Sequence, residues 1–324
     1  METFVPPRLL RNAHVQSILS STVPRKWFLK RSAKLLIQTS QPHIIDCGDG
    51  VRLQGEYSCR SENDKGLVIL IHGWEGSVDS SYIVSSANAL FKAGFNIFRL
   101  NLRDHGDTHH LNEGLFNSVR LAEVVNAVVA IGKQFEHSRC FLAGFSLGGN
   151  FALRVATQLQ NRDIELRKVV AVCPLLNPVK TMASLEDGLF VYHDYFHKKW
   201  RRSLKKKLVH YPQLAYGEQL AQLKTLQAMN EFFVPNFTSF DNPQSYLAAY
   251  AITGDVLQNI CVPSHIVSAE DDPVVLSKDL DELISHPMLS VELTRYGGHC
   301  GFLQNYRLHS WVDQRLISLF GLEK

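Results

Sequence analysis

Short runs of apolar residues alternate along this chain with stretches of helical periodicity. The runs are Gly66–Ile71, Phe95–Leu100, Arg139–Ala143, Lys168–Val172, Pro263–Val267 and Leu289–Thr294. Helical patterns fill Tyr82–Lys92, Leu115–Phe135, Gly148–Leu159, Val275–Ser285 and Gln304–Phe320. Strands without a polar face cannot meet water on either side, and parallel neighbours need a crossover helix between them. The pattern therefore predicts a mostly parallel sheet with helices on both faces. Val51–Tyr57 alternates polar and apolar residues and is expected to begin an antiparallel edge.

One interval breaks the rhythm. No strand pattern falls between Pro178 and Val262, a stretch rich in aromatic and basic residues. It is too long for a connecting loop. The reading is a helical lid over 179–262, inserted into a core made of 1–178 and 263–324. At 324 residues and 45% hydrophobic, the chain can bury a large core without cross-links.

The net charge is +3, small for this length, which argues against a nucleic-acid partner. Seven cations and no acid lie between Lys198 and Lys207, inside the expected lid. As a helix, that stretch would be basic around most of its circumference, with Trp200 and Leu204 on one stripe. The main reading is a lid helix docked through those two residues. The other is a contact with an anionic membrane surface. No two cysteines have C-x-x-C spacing, and the first sixteen residues lack the apolar stretch of a signal peptide. Reduced thiols and a cytoplasmic location are expected.

The chemistry is written most clearly in Gly144-Phe-Ser146-Leu-Gly148. This G-x-S-x-G follows one predicted strand and precedes one predicted helix. Small residues on both sides of Ser146 let the backbone turn sharply and lift the hydroxyl clear of the sheet. The N–H of Leu147 then falls at a helix N-terminus, where it can hold an oxyanion. A serine needs a base, and the base needs an acid to fix its tautomer. His299 follows the last strand on a glycine-flanked turn. Glu270, Asp271 and Asp272 follow the strand before it. Asp272, fixed by Pro273, is favoured as the acid, with Asp271 as the alternative. The second oxyanion donor is assigned to the backbone N–H of Trp74, in the loop His72–Ser77. His72 itself reads as a brace for that loop. Phe232 and Phe233, among the lid aromatics, are expected to line an acyl pocket.

Arg103–His110 is dense in metal-ligand types, but the order of those residues fits a hydrogen-bonded loop better than a metal site. Neither a metal nor a cofactor is expected.

Taken with Arg11–Ile18, His72–Ser77, Ala269–Pro273 and Gly297–Phe302, these motifs resemble the α/β-hydrolases, and within them the YheT-like group, to which several mammalian ABHD lipases and esterases belong. The resemblance spans almost the whole chain. It implies an eight-stranded α/β-hydrolase sheet with a helical lid, and Ser146, Asp272 and His299 as nucleophile, acid and base. Trp74 stands where the group usually has an aliphatic residue. Asn230-Glu-Phe replaces an expected Phe-Asp-Asp-like run, and the loop Asn101–Thr108 lacks the usual Arg-Gly-Cys-like turn. The expected activity is hydrolysis of a small-molecule carboxylic ester of short-to-medium acyl length through an acyl-enzyme. Thioester or amide hydrolysis with the same triad, or a non-catalytic ligand-binding role, are the alternatives.

Overall fold

The computed structural model describes residues 4–60 and 64–321. Eight strands form one sheet in the order β1-β2-β4-β3-β5-β6-β7-β8. They are β1 (Ser40–Asp46), β2 (Arg52–Ser58), β3 (Leu67–Ile71), β4 (Asn96–Asn101), β5 (Cys140–Phe145), β6 (Leu166–Val172), β7 (Ser264–Ala269) and β8 (Leu289–Thr294). β1 pairs β2, and β2 pairs β4, antiparallel; every other pairing is parallel.

The helices are α1 (Ala13–Leu19), α2 (Val23–Ser32), α3 (Lys34–Thr39), α4 (Ser81–Lys92), α5 (Leu121–Gln134), α6 (Leu147–Ala156), α7 (Pro178–Asp187), α8 (Phe190–His210), α9 (Gly217–Gln222), α10 (Leu226–Phe237), α11 (Pro243–Ala248) and α12 (Trp311–Gly321). α7 to α11 lie between β6 and β7, the interval read as a lid.

All five residues of β3 are fully buried. Successive side chains of a strand point to opposite faces. Accordingly Leu67, Ile69 and Ile71 join a core layer with α5 and α6, while Val68 and Leu70 join the layer with α4 and α12.

Three local expectations need correction. The antiparallel edge is β1, outside the strand at 52–58. β1 reads Ser-Gln-Pro-His-Ile-Ile-Asp and buries only Ile45, so it carries almost no apolar pattern to read. Val275–Ser285 is not a helix; only a 3₁₀ turn spans Ser277–Glu282. It stops because Leu283 bridges to Gly254, and because Asp279 and Glu282 both turn to Lys180 of α7. The last helix starts at Trp311, since Leu303 pairs with Ser310 across a loop.

The basic stretch of α8 is committed to docking at several points. Lys207 is 1% exposed and donates to Asp104 Oδ1 at 2.7 Å. Lys199 Nζ donates to the Glu75 carbonyl at 2.8 Å, and Lys206 pairs with Asp107 at 2.9 Å. Leu204 is buried beside Trp200. The lid is thus pinned to the loops after β3 and β4. No helix among the described residues is long and apolar enough to cross a membrane.

Candidate active site

The parallel strands β3 to β8 end at one edge of the sheet, and the candidate residues gather there. β5 delivers Ser146 on a turn whose backbone is strained: φ is +54° and ψ −119°. Such a conformation costs roughly 1–3 kcal/mol for a residue with a side chain, and neighbours must hold it. The Ser146 N–H donates to the Val172 carbonyl at 2.9 Å. A Cβ on Gly144 would lie 2.0 Å from the Gly148 carbonyl oxygen, and one on Gly148 2.4 Å from that of Ile71. Both positions therefore exclude every residue but glycine.

His299 Nε2 lies 2.9 Å from Ser146 Oγ, and its Nδ1 lies 2.9 Å from Asp272 Oδ2. Asp272 is 7% exposed, and its other oxygen accepts the N–H groups of Val274 and Val275 at 2.8 and 3.0 Å. The adjacent carboxylate, Asp271, faces elsewhere: its Oδ1 accepts the Gly298 N–H at 2.8 Å. Burial disfavours a charge on His299, but Asp272 outweighs it, and the ring is raised to about 9. Burial raises the Asp271 carboxyl, with Asp272 adding to the shift against the Gly298 hydrogen bond.

Leu147 opens α6 at the position where an N–H has no intrahelical acceptor. Trp74 follows Gly73, whose backbone passes so close that a Cβ there would sit 3.1 Å from Ser146 Cβ. Two buried histidines hold this loop. His72 Nε2 accepts the Leu102 N–H at 3.1 Å, which leaves Nδ1–H to donate to the Gly73 carbonyl at 2.7 Å. His105 does the same one loop away: it accepts the Glu75 N–H at 3.1 Å and donates to the Arg103 carbonyl at 2.7 Å. Burial pushes His72 well below its ordinary value and His105 down to about 4, so both rings stay neutral. Three other side chains of Arg103–His110 are similarly occupied. Arg103 pairs with Glu123, Asp104 with Lys207, and His109 with Ser203.

Two cavities meet at Trp74. One, of about 300 Å³, contains Ser146 and His299 and is walled by Ile18 of α1 and by Tyr192, Tyr195 and Phe196 of α8. The other, of about 100 Å³, is bordered by Leu147, Phe116, Met182, Phe233 and Phe237. Trp74 borders both, stacked on Phe196 at 5.2 Å between ring centroids and edge-on to Trp200.

Phe233 thus lines the second cavity, whereas Phe232 lines neither and packs against Phe233 and Phe237. Neighbours on a helix point about 100° apart, so one of the pair turns away from any given cavity. The aromatics beside Ser146 come from α8 instead.

Sequence reading missed the part played by the N-terminal segment. The Ser17 hydroxyl accepts the His299 backbone N–H at 2.8 Å and donates to the Ala13 carbonyl at 2.7 Å. Gln16, fully buried, donates to the carbonyls of Leu10 and Leu303 and accepts the Leu303 N–H at 2.6 Å. Gly298 and Gly301 allow this approach: a Cβ on either would come within 2.4–2.6 Å of a carbonyl of α1. The signal available was the polar run around Gln16 and Ser17 inside an otherwise amphipathic stretch.

The fold, with its serine on a strand-to-helix turn, defines a class, and the chain belongs to it: the alpha/beta hydrolase fold family, whose model matches residues 66–306. Within that family it falls in the YheT-like group. It is 25% identical to YheT of Escherichia coli over 320 residues, covering 97% of this chain and 91% of that one. It is 21% identical to abhydrolase domain-containing protein 2 of Drosophila melanogaster over 354 residues, covering 99% of this chain and 84% of that protein. The fold is shared with the esterase Pf2001 of Pyrococcus furiosus, at a TM-score of 0.58 and 16% identity, over 99% of this chain and 98% of that one.

Proposed function

We propose that the protein is a serine hydrolase that cleaves carboxylic esters of short-to-medium acyl length through an acyl-enzyme. The observation that carries this reading is the Ser146–His299–Asp272 relay, with both contacts at 2.9 Å, at the wall of a cavity able to hold a substrate. In the first half-reaction His299 Nε2 takes the Ser146 proton as Oγ attacks the ester carbonyl. The negative charge that develops on the carbonyl oxygen is held by the N–H groups of Leu147 and Trp74. His299 then returns the proton to the departing alcohol oxygen, leaving an acyl group on Ser146. In the second half a water gives its proton to His299 and attacks the acyl carbonyl. Collapse frees the acid and restores the serine hydroxyl. Asp272 holds the ring in place and stabilises the imidazolium that forms.

The acyl chain is assigned to the apolar space around Trp74. The relationship in fold to the Pyrococcus esterase supports the class of reaction without fixing the substrate. A panel of p-nitrophenyl esters from acetate to decanoate, followed by rapid quench and mass spectrometry, tests the reading. An acyl adduct on the Ser146 peptide is expected. Steady turnover with no adduct under any quench would overturn the covalent route.

A further inference from the structure

Cys173 and Cys300 are not used by the proposed reaction, yet they sit against its base. Cys173 directly follows β6 and Cys300 follows His299; they are 1% and 8% exposed. Both have left-handed backbones, with φ of +44° and +56°. The Cys300 N–H points to Cys173 Sγ at 3.4 Å. Each thiol also reaches a carbonyl at 3.7 Å, Cys173 to Gly298 and Cys300 to Val172. The two Sγ atoms and a ring nitrogen of His299 lie within 4.8 Å of one another, the one such three-residue group of metal-ligating types among the described residues. Cys300 also lines the cavity that holds Ser146, which gives a small ion a path inward.

We propose that Cys173, Cys300 and His299 form a site for a thiophilic divalent cation of the Zn²⁺ or Cd²⁺ type, and that its occupation switches the enzyme off reversibly. Two sulfurs and an imidazole are the donor set such ions prefer. Metal–sulfur and metal–nitrogen bonds of about 2.3 and 2.0 Å put tetrahedral donors roughly 3.5–3.8 Å apart, so the three atoms need close by only about 1 Å. Binding forms two metal–sulfur bonds and one metal–nitrogen bond; the two thiol protons, and the imidazolium proton where His299 carries one, leave to solvent. Water from the cavity fills the fourth position. His299 has no spare nitrogen for this: Nδ1 faces Asp272 and Nε2 faces Ser146. Coordination of either one breaks the relay.

The inhibitory consequence rests on the hydrolase reading, but the site itself does not, so the two are tested apart. The starting protein is the Cys59→Ser/Cys261→Ser variant, which removes the exposed thiols. In that background, with Ser146→Ala added, Cd²⁺ titration is expected to give the ultraviolet thiolate-to-cadmium band, saturating at one equivalent. Adding Cys173→Ser or, separately, Cys300→Ser should weaken binding at least about tenfold, as expected for loss of a ligand. With Ser146 intact, Zn²⁺ should slow fluorophosphonate labelling, and a chelator should restore it. The Cys173→Ser protein should show little such slowing relative to its own metal-free rate. A missing cadmium band, or one of equal strength and affinity in both cysteine variants, overturns the site. A band with labelling unaffected by saturating Zn²⁺ overturns the switch.

Discussion

The hydroxyl of Ser17 accepts the backbone N–H of His299 at 2.8 Å across 282 residues of sequence. An N-terminal helix outside the sheet thereby fixes the turn that carries the proposed base. The Ser17→Ala variant leaves that N–H without its partner, and roughly 1 kcal/mol of positioning is lost. A fall in kcat of about five- to tenfold is expected, with KM little changed. Ser17→Thr keeps the hydroxyl and should recover most of the rate. Equal losses in both variants would point to packing instead.

The pH profile follows from the charge on His299. The base acts only when neutral, and Asp272 raises the ring to about 9 against the effect of burial. The value of kcat/KM should therefore climb with pH through the neutral range, reach half its maximum near 9 and level off above that. Asp272→Asn removes the anion that favours the imidazolium, so the inflection should move down. The plateau should drop by roughly 10⁴, as when the base loses its orienting carboxylate. Asp271→Asn alters a hydrogen bond to Gly298 and not the relay, and about a tenfold loss or less is expected. The opposite ranking would assign the acid to Asp271.

Chain-length preference tests the two cavities. Each buried CH₂ can contribute about 0.8 kcal/mol. Activity should rise from acetate to medium acyl length and fall once the space is full. Trp74→Ala joins the cavities and should move the optimum to longer esters. Phe233→Trp fills the second cavity and should move it to shorter ones, while Phe232→Trp leaves it in place. Identical optima in all of these proteins would place the acyl chain elsewhere.

The lid is pinned through a buried pair, Lys207 with Asp104 at 2.7 Å. Lys207→Met strands the Asp104 charge in a site that is only 5% exposed. A loss of about 3–5 kcal/mol in stability is expected, read as a lower Tm in calorimetry. The double variant Lys207→Met/Asp104→Asn should regain much of it.

What the sequence discloses depends on how local each constraint is. Ser146 was readable because its turn needs Gly144 and Gly148, both within two residues. His299 was readable because a glycine-rich turn follows the last strand. Asp272 could only be favoured over Asp271: adjacent carboxylates differ in direction, which the turn at Pro273 sets in three dimensions. β1 was missed because an edge strand with one buried residue has no periodicity. Ser17 and Gln16 were missed because their partners lie at the other end of the chain. Phe232 was misplaced because composition cannot tell which side of α10 faces a cavity. Tyr192, Tyr195 and Phe196 of α8 wall the cavity beside Ser146, and composition alone could not rank aromatics of that helix above Phe232 and Phe233.

The central claim is that Ser146 is the nucleophile. Its most direct test is fluorophosphonate labelling of the wild-type protein and of Ser146→Ala, with the adduct mapped by peptide mass spectrometry. The wild type should take one equivalent of label on Ser146. The variant should fold to the same circular dichroism spectrum, take none, and lose roughly four to six orders of magnitude in ester turnover. A folded wild type that takes no label, or a variant that labels at the same rate, would contradict the account.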